Sequence, residues 1–142
     1  MYLKQNRDEY YRHLRRIRTH GVWEEWVVFF LEGVIDVSRS ATETTQRIVR
    51  LIGRDRRRVL DELGRAAGSA SRLHDLAVNE IVFTIPEAAA RLNLSEVTIG
   101  KAAGHLEDLS AVHEATGRAR NRLYVYSEYL GILQEGTEEE PG

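Results

Sequence analysis

Apolar positions along the first half of the chain recur at helical intervals. Tyr10, Leu14 and Ile17 stand at i, i+4 and i+7 within residues 5–19, with Arg12, Arg15, Arg16 and Arg18 between them, which predicts an amphipathic helix with a basic face ending at Gly21. A longer stripe follows: Trp23, Trp26 or Val27, Phe30, Val34, Val37, Ala41, Ile48 and Leu51, with a predicted break at Gly53. Val28, Phe29 and Ile35 lie off that stripe, and a helix apolar on more than one side must be covered on more than one side. Residues 26–37 are therefore expected to form the core helix, held between neighbours or against another chain. Residues 54–75 predict a third helix, with Val59, Leu60, Leu63, Ala67, Ala70 and Leu73 on one side. Its opening run Arg54, Arg56, Arg57 and Arg58, interleaved with Asp55, reads as a solvated helix terminus rather than a phosphate patch.

Past residue 78 the pattern shortens. Thr84 and Glu87 have the T-x-x-E spacing of a capping box, and Pro86 is tolerated in a first turn, so a short helix with Ala88, Ala89 and Leu92 inward is expected there. Asn93-Leu94-Ser95 makes a three-residue connector: Leu94 plugs the core and Ser95 caps a second helix, which turns Ile99, Ala102, Ala103 and Leu106 inward. Residues 111–115 and the strand-forming run from Leu123 (Leu123, Tyr124, Val125, Tyr126) then predict a hairpin across Thr116-Gly117. Between them Arg118, Arg120 and Arg122 occupy alternate positions, which in an extended segment share one face and make a basic edge. Two short helices on a tight turn followed by a hairpin is the order of a winged helix-turn-helix. The fold class expected is mainly α: a helical segment over residues 1–78, a winged helix-turn-helix with a small β-hairpin wing over 79–134, and a flexible acidic tail over 135–142.

Composition narrows the chemistry. The 142 residues contain no cysteine, which removes disulfides, thiol catalysis and cysteine-ligated metals, and the five histidines, at 13, 20, 74, 105 and 113, show no close metal-ligand spacing. No cofactor or metal is expected. The first residues carry Lys4, Arg7, Asp8 and Glu9 where a signal peptide needs an apolar stretch, and the run from Trp26 to Leu31 is too short to span a bilayer, so the expected location is cytoplasmic. The overall charge of −2 hides an asymmetry: residues 1–78 carry +4 and residues 79–142 carry −6. The basic edge of the hairpin thus sits in an acidic half.

Three segments, YLKQNRDEYYRHL (residues 2–14), GVWEEWVVFFLEGV (21–34) and EATGRARNRLYVYSEYLGIL (114–133), taken in this order resemble the C-terminal part of Fic-family proteins, named for filamentation induced by cyclic AMP. In that family a helical domain transfers AMP from ATP to a target hydroxyl, and many members end in a winged helix. The resemblance implies a C-terminal region or fragment of such a protein. The family's catalytic signature, H-P-F-x-D/E-G-N-G-R, is missing, since no His precedes Pro and no Gly-Asn-Gly occurs, and its inhibitory signature S/T-x-x-x-E-G/N is missing as well. No catalytic or nucleotide-binding residue is therefore assigned, and the chain is not expected to be an enzyme.

What remains is binding. On the second helix of the helix-turn-helix, Ser95, Thr98, Lys101 and His105 are the expected base-facing residues, with Glu96, Gly100, Gly104 and Asp108 also outward, and Arg118, Arg120 and Arg122 are the expected phosphate contacts. The primary expectation is a DNA-binding module with a regulatory role in transcription, of modest affinity because of the acids around it. The alternative is a non-catalytic interaction module whose helical half forms a homodimer or docks on a Fic catalytic domain.

Overall fold

The structure is a computed structural model describing residues 2–118 and 120–136. It divides into two compact units: the described residues up to Gln46 together with Glu135 and Gly136, and Arg47–Gln134.

The first unit is built from α1 (Tyr2–Gln5), α2 (Arg7–His20) and the N-terminal part of α3 (Glu24–Glu62). Gly21, at φ 65°, ends α2 and donates its N–H to Ile17 O at 2.9 Å, the left-handed termination that glycine permits. Phe29 is the anchor. Its ring lies 5.4 Å from that of Tyr2 and 5.1 Å from that of His13, and Arg16 pairs with Glu25 across α2 and α3. Within the chain residues 26–37 are not held between neighbours: of the described residues 2–46 only Phe29 and Gly33 are buried, so of the two expected kinds of cover only that by another chain is left. Two short helices cover one side of α3 and leave its apolar stripe open.

The second unit contains the rest of α3, a 3-10 turn (Gly64–Ala66), α4 (Ala67–Glu80), β1 (Val82–Thr84), α5 (Ile85–Leu92), α6 (Glu96–Asp108), β2 (His113–Glu114), β3 (Leu123–Val125) and α7 (Ser127–Glu135). The helix does not break at Gly53. Leu51, Asp55 and Val59, spaced by four, are all buried on the two sides of it, so tertiary packing outweighs the roughly 1 kcal/mol that an interior glycine costs. The chain turns instead at Gly64, with φ 50°, and the next helix runs over 67–80 rather than 54–75. Residues 47–78 therefore belong to the same core as 79–134, and the compact unit reaches well back of residue 78.

The arginine run expected to be a solvated helix terminus is largely exposed but lies inside α3, where three of its side chains reach beyond the helix. Arg54 binds both Asp55 and Glu128, Arg56 pairs with Asp75 at 2.5 Å, and Arg58 donates to Leu109 O at 2.7 Å.

Both helix starts of the helix-turn-helix follow their sequence signals. The Thr84 hydroxyl accepts from Glu87 N while the Glu87 carboxylate accepts from Thr84 N, a complete capping box. Asn93, left-handed at φ 50°, closes α5, and Leu94 packs on the core between the helices. Ile99, Ala102, Ala103 and Leu106 are fully buried, and alanines on this face let α4 and α5 approach closely. The sheet is antiparallel in the order β1-β3-β2. Phe83 and Tyr124, paired across β1 and β3, stack with centroids 5.6 Å apart and close one end of the core.

Candidate nucleic-acid interface

The second helix of the helix-turn-helix, α6, presents a solvent face opposite the buried Ile99–Leu106 stripe. Lys101 is exposed on that face, and Thr98 and His105 lie half-buried along its edge. Ser95 and Thr98 are engaged at the helix start: the Ser95 hydroxyl accepts from Thr98 N at 3.1 Å and stands 2.9 Å from Thr98 Oγ1. Their first task is to satisfy an orphan N–H of α6, so any base contact has to be shared with the cap.

Sequence reasoning missed Val97. It is 70% exposed, one turn before Lys101, on the face that Lys101 and Gly104 share. An apolar side chain there has no place in a folded monomer's core, whereas a thymine methyl group in a major groove is a suitable neighbour. The missed signal was its i, i+4 relation to Lys101, hidden because apolar residues were assigned inward.

The acids near α6 are not equivalent. Glu96 sits in the first turn, where a carboxylate favours the helix dipole. Glu107 accepts Glu114 N at 3.0 Å, tying the end of α6 to the start of β2. Asp108 is exposed at the C-terminal end of the helix.

The wing follows from Glu114. Its carboxylate accepts from Thr116 N and Gly117 N, each at 2.8 Å, and from the Thr116 hydroxyl, folding the chain back directly after β2. These bonds, first that from the Thr116 hydroxyl, hold the Glu114 pKa below the usual carboxylate value. Gly117, at φ 62°, takes the conformation that this turn needs.

The expected geometry of the arginines changes in consequence. Arg118, Arg120 and Arg122 lie in the loop between β2 and β3, not at alternate positions of a strand, because Asn121 is left-handed at φ 53° and β3 begins only at Leu123. All three are exposed, and Arg122 Nε donates to Arg118 O at 3.1 Å across the loop. Ala119, between the first two, is outside the described residues, as is the acidic run Glu138–Glu140 of the expected tail. The basic edge is thus a loop tip held by a Glu114 turn.

Behind the sheet lies a buried polar cluster that the sequence reading did not identify. Tyr126 directly follows β3, and its hydroxyl donates to Asp55 Oδ2 of α3 at 2.7 Å and stands 3.3 Å from His74 Nε2 of α4. Asp55, His74 and Tyr126 are each at most 1% exposed. Arg54 caps the group, donating to Asp55 Oδ1 at 2.8 Å and to both oxygens of Glu128, and these partners raise its pKa. Burial, with the bond to Asp55, raises the Tyr126 pKa, so the phenol stays a donor. Desolvation lowers the His74 pKa, and its Nδ1 has no partner among the described residues. These contacts fix the strand that carries the wing to α3 and α4.

Among the described residues no group of three or more His, Asp or Glu side chains is placed to hold a metal ion, and no helix is long and apolar enough to cross a membrane. The order α4-β1-α5-α6-β2-β3, with β3 central in the sheet, is that of a winged helix-turn-helix. No protein-family model matches the sequence, and no curated protein matches it significantly.

Proposed function

We propose that this chain is a non-catalytic, DNA-binding winged helix-turn-helix module with a regulatory role in transcription, the C-terminal module of a Fic-family protein. The observation that carries the DNA reading is the wing: three exposed guanidiniums at the tip of a loop whose root, Glu114, is bonded to the end of α6. In helix-turn-helix readers the second helix enters the major groove while flanking elements hold phosphate. Here Val97, Lys101, Thr98 and His105 would meet base edges, and Arg118, Arg120 and Arg122 the backbone. The Fic reading rests on the three sequence segments over residues 2–14, 21–34 and 114–133.

A cationic tip without a ladder of base-reading side chains gives affinity with little sequence information. Three phosphate contacts imply a slope of log K against log salt of roughly −2 to −3 from the wing. Duplex binding measured at two salt concentrations tests this. Replacing all three arginines with alanine is expected to flatten the slope and weaken every duplex alike, whereas Val97→Ala or Lys101→Ala narrows the gap between preferred and random sequences. No binding by the intact chain at low salt, or an unchanged triple variant, overturns the reading.

The second reading, an interaction module that docks on a Fic catalytic domain without touching DNA, is favoured by one observation: the open apolar face of α3 in the first unit.

A further inference from the structure

We infer that the first unit is half of a homodimer, in which the apolar face of α3 left open by α1 and α2 packs antiparallel on the same face of a second copy. This goes beyond the reading above and does not depend on DNA binding.

The face is large and continuous. Phe30, Leu31, Val34, Ile35 and Val37, on adjoining stripes of α3, and Trp23 just before it are 42–58% exposed. Together these side chains offer on the order of 600 Å² of surface, approaching the ~800 Å² per partner that a stable interface buries and matching the largest patches that monomers keep exposed. Trp26 stacks on Phe30 with centroids 5.4 Å apart and ring planes 13° apart, so the central aromatic of the patch is held in place before any partner arrives. Beside it an apolar cleft of about 220 Å³ opens between α1 and α3, walled by Tyr2, Leu3, Phe30, Gly33, Val34 and Val37.

Ridge and cleft on one chain make the surface self-complementary, which an isologous two-fold pair requires. An antiparallel pair with its axis near Val34 brings Phe30 of each copy against the Val37 and Ser38 wall of the other's cleft.

Charge selects the occupant. Between residues 24 and 39 the helix carries Glu24, Glu25, Glu32 and Asp36 against Arg39 alone, which opposes an anionic bilayer surface. On a helical wheel Glu25, Glu32 and Asp36 fall opposite Phe30, Val34 and Val37, so they stay in solvent when two such faces meet. An antiparallel arrangement also separates the Glu24-Glu25 first turns, which a parallel pair would set side by side.

The test uses the full chain without DNA. Sedimentation from low to high micromolar concentration is expected to show a dimer of twice the chain mass, and Val34→Asp or Phe30→Ser to weaken it by at least about a hundredfold, since each substitution counts twice across the axis. Leu60→Asp, at a position also exposed but in the second unit, leaves the dimer intact. Both α3 positions are exposed in the monomer, so the variants keep their helical circular dichroism. Because the chain has no cysteine, V34C provides an independent readout: mild oxidation cross-links it into a disulfide dimer on a non-reducing gel, whereas L60C runs there as a monomer. A strictly monomeric wild type, a dimer indifferent to Val34 and Phe30, or cross-linking equal at positions 34 and 60 overturns the proposal, whatever the chain does with DNA.

Discussion

Residues 24–46 and residues 47–62 belong to one uninterrupted helix, yet the first stretch buries Phe29 and Gly33 while the second buries Leu51, Asp55 and Val59 in a core that four further helices and a sheet complete. The sequence composition of the two stretches runs the other way. Aromatic and branched apolar residues crowd 23–37, where little is covered, and the fully buried positions of the second unit are rich in alanine. Hydrophobicity is therefore not a measure of burial in this chain. Small side chains are buried where helices approach closely, and large ones stay open where the chain supplies too few elements to cover them.

The sharpest way to break this contrast is to truncate one large side chain in each unit. Leu73, fully buried on α4, is expected to cost about 3 kcal/mol on replacement by alanine, with a cavity left behind. Phe30→Ala, at a position 42% exposed, should cost well under 1 kcal/mol in dilute protein, its loss growing with concentration as the dimer is populated. Urea unfolding at two protein concentrations measures both. Equal losses at low concentration would mean that the first unit buries Phe30 after all.

A smaller effect separates the units by pH. His74 belongs to the second unit only, and desolvation lowers its pKa, a shift that the nearby Asp55 and Asp75 oppose and Arg56 reinforces. The folded state thus holds the ring neutral while the unfolded chain takes up a proton near pH 6.5. The sign follows: the unfolded state binds more protons in acid, so stability is full above about pH 6.5 and falls as the pH drops below it, by at most about 1.4 kcal/mol per pH unit. His74→Phe, which also gives up the 3.3 Å contact to Tyr126, is expected to start less stable at neutral pH but to lose less between pH 7 and 5. Parallel pH profiles for the two proteins would exclude His74 as the source.

How much of this was legible beforehand depended on whether a signal was local. The Thr84-Glu87 box, the Ser95 cap, the Gly21 stop and the inward set Ile99, Ala102, Ala103 and Leu106 all act within one or two turns, and the structure has each of them. Strand β1 was missed because Val82–Thr84 is three residues long and exists through pairing with β3, about forty residues away. The arginines were expected on a strand because alternation cannot reveal the Glu114 carboxylate that turns the chain at Thr116 and Gly117. Asp55 read as part of a charged run. Its partner Tyr126 lies 71 residues away, the His74 that meets the same hydroxyl is 52 residues from Tyr126, and no periodicity connects them. Of the candidate interface, Lys101 and the three arginines were read as exposed and are, while Val97 was concealed by its own apolarity.

The last prediction concerns the helix that the two regions share, and it has the smallest effect. Gly53 was expected to end a helix, and a helix-ending glycine takes positive φ, where alanine is strained. In the structure Gly53 lies inside α3, absent from the positive-φ glycines among the described residues, and a Cβ built on it meets no atom within 4 Å. Gly53→Ala should then stabilise the chain by about 0.5–1 kcal/mol, by lowering the entropy of the unfolded state and removing an interior glycine from a helix. Gly64→Ala, at φ 50° where the helix does end, should have the opposite sign. Thermal unfolding of the two variants beside the wild type measures the pair. If Gly53→Ala destabilises, α3 is broken at that point and residues 47–62 are not one continuous helix.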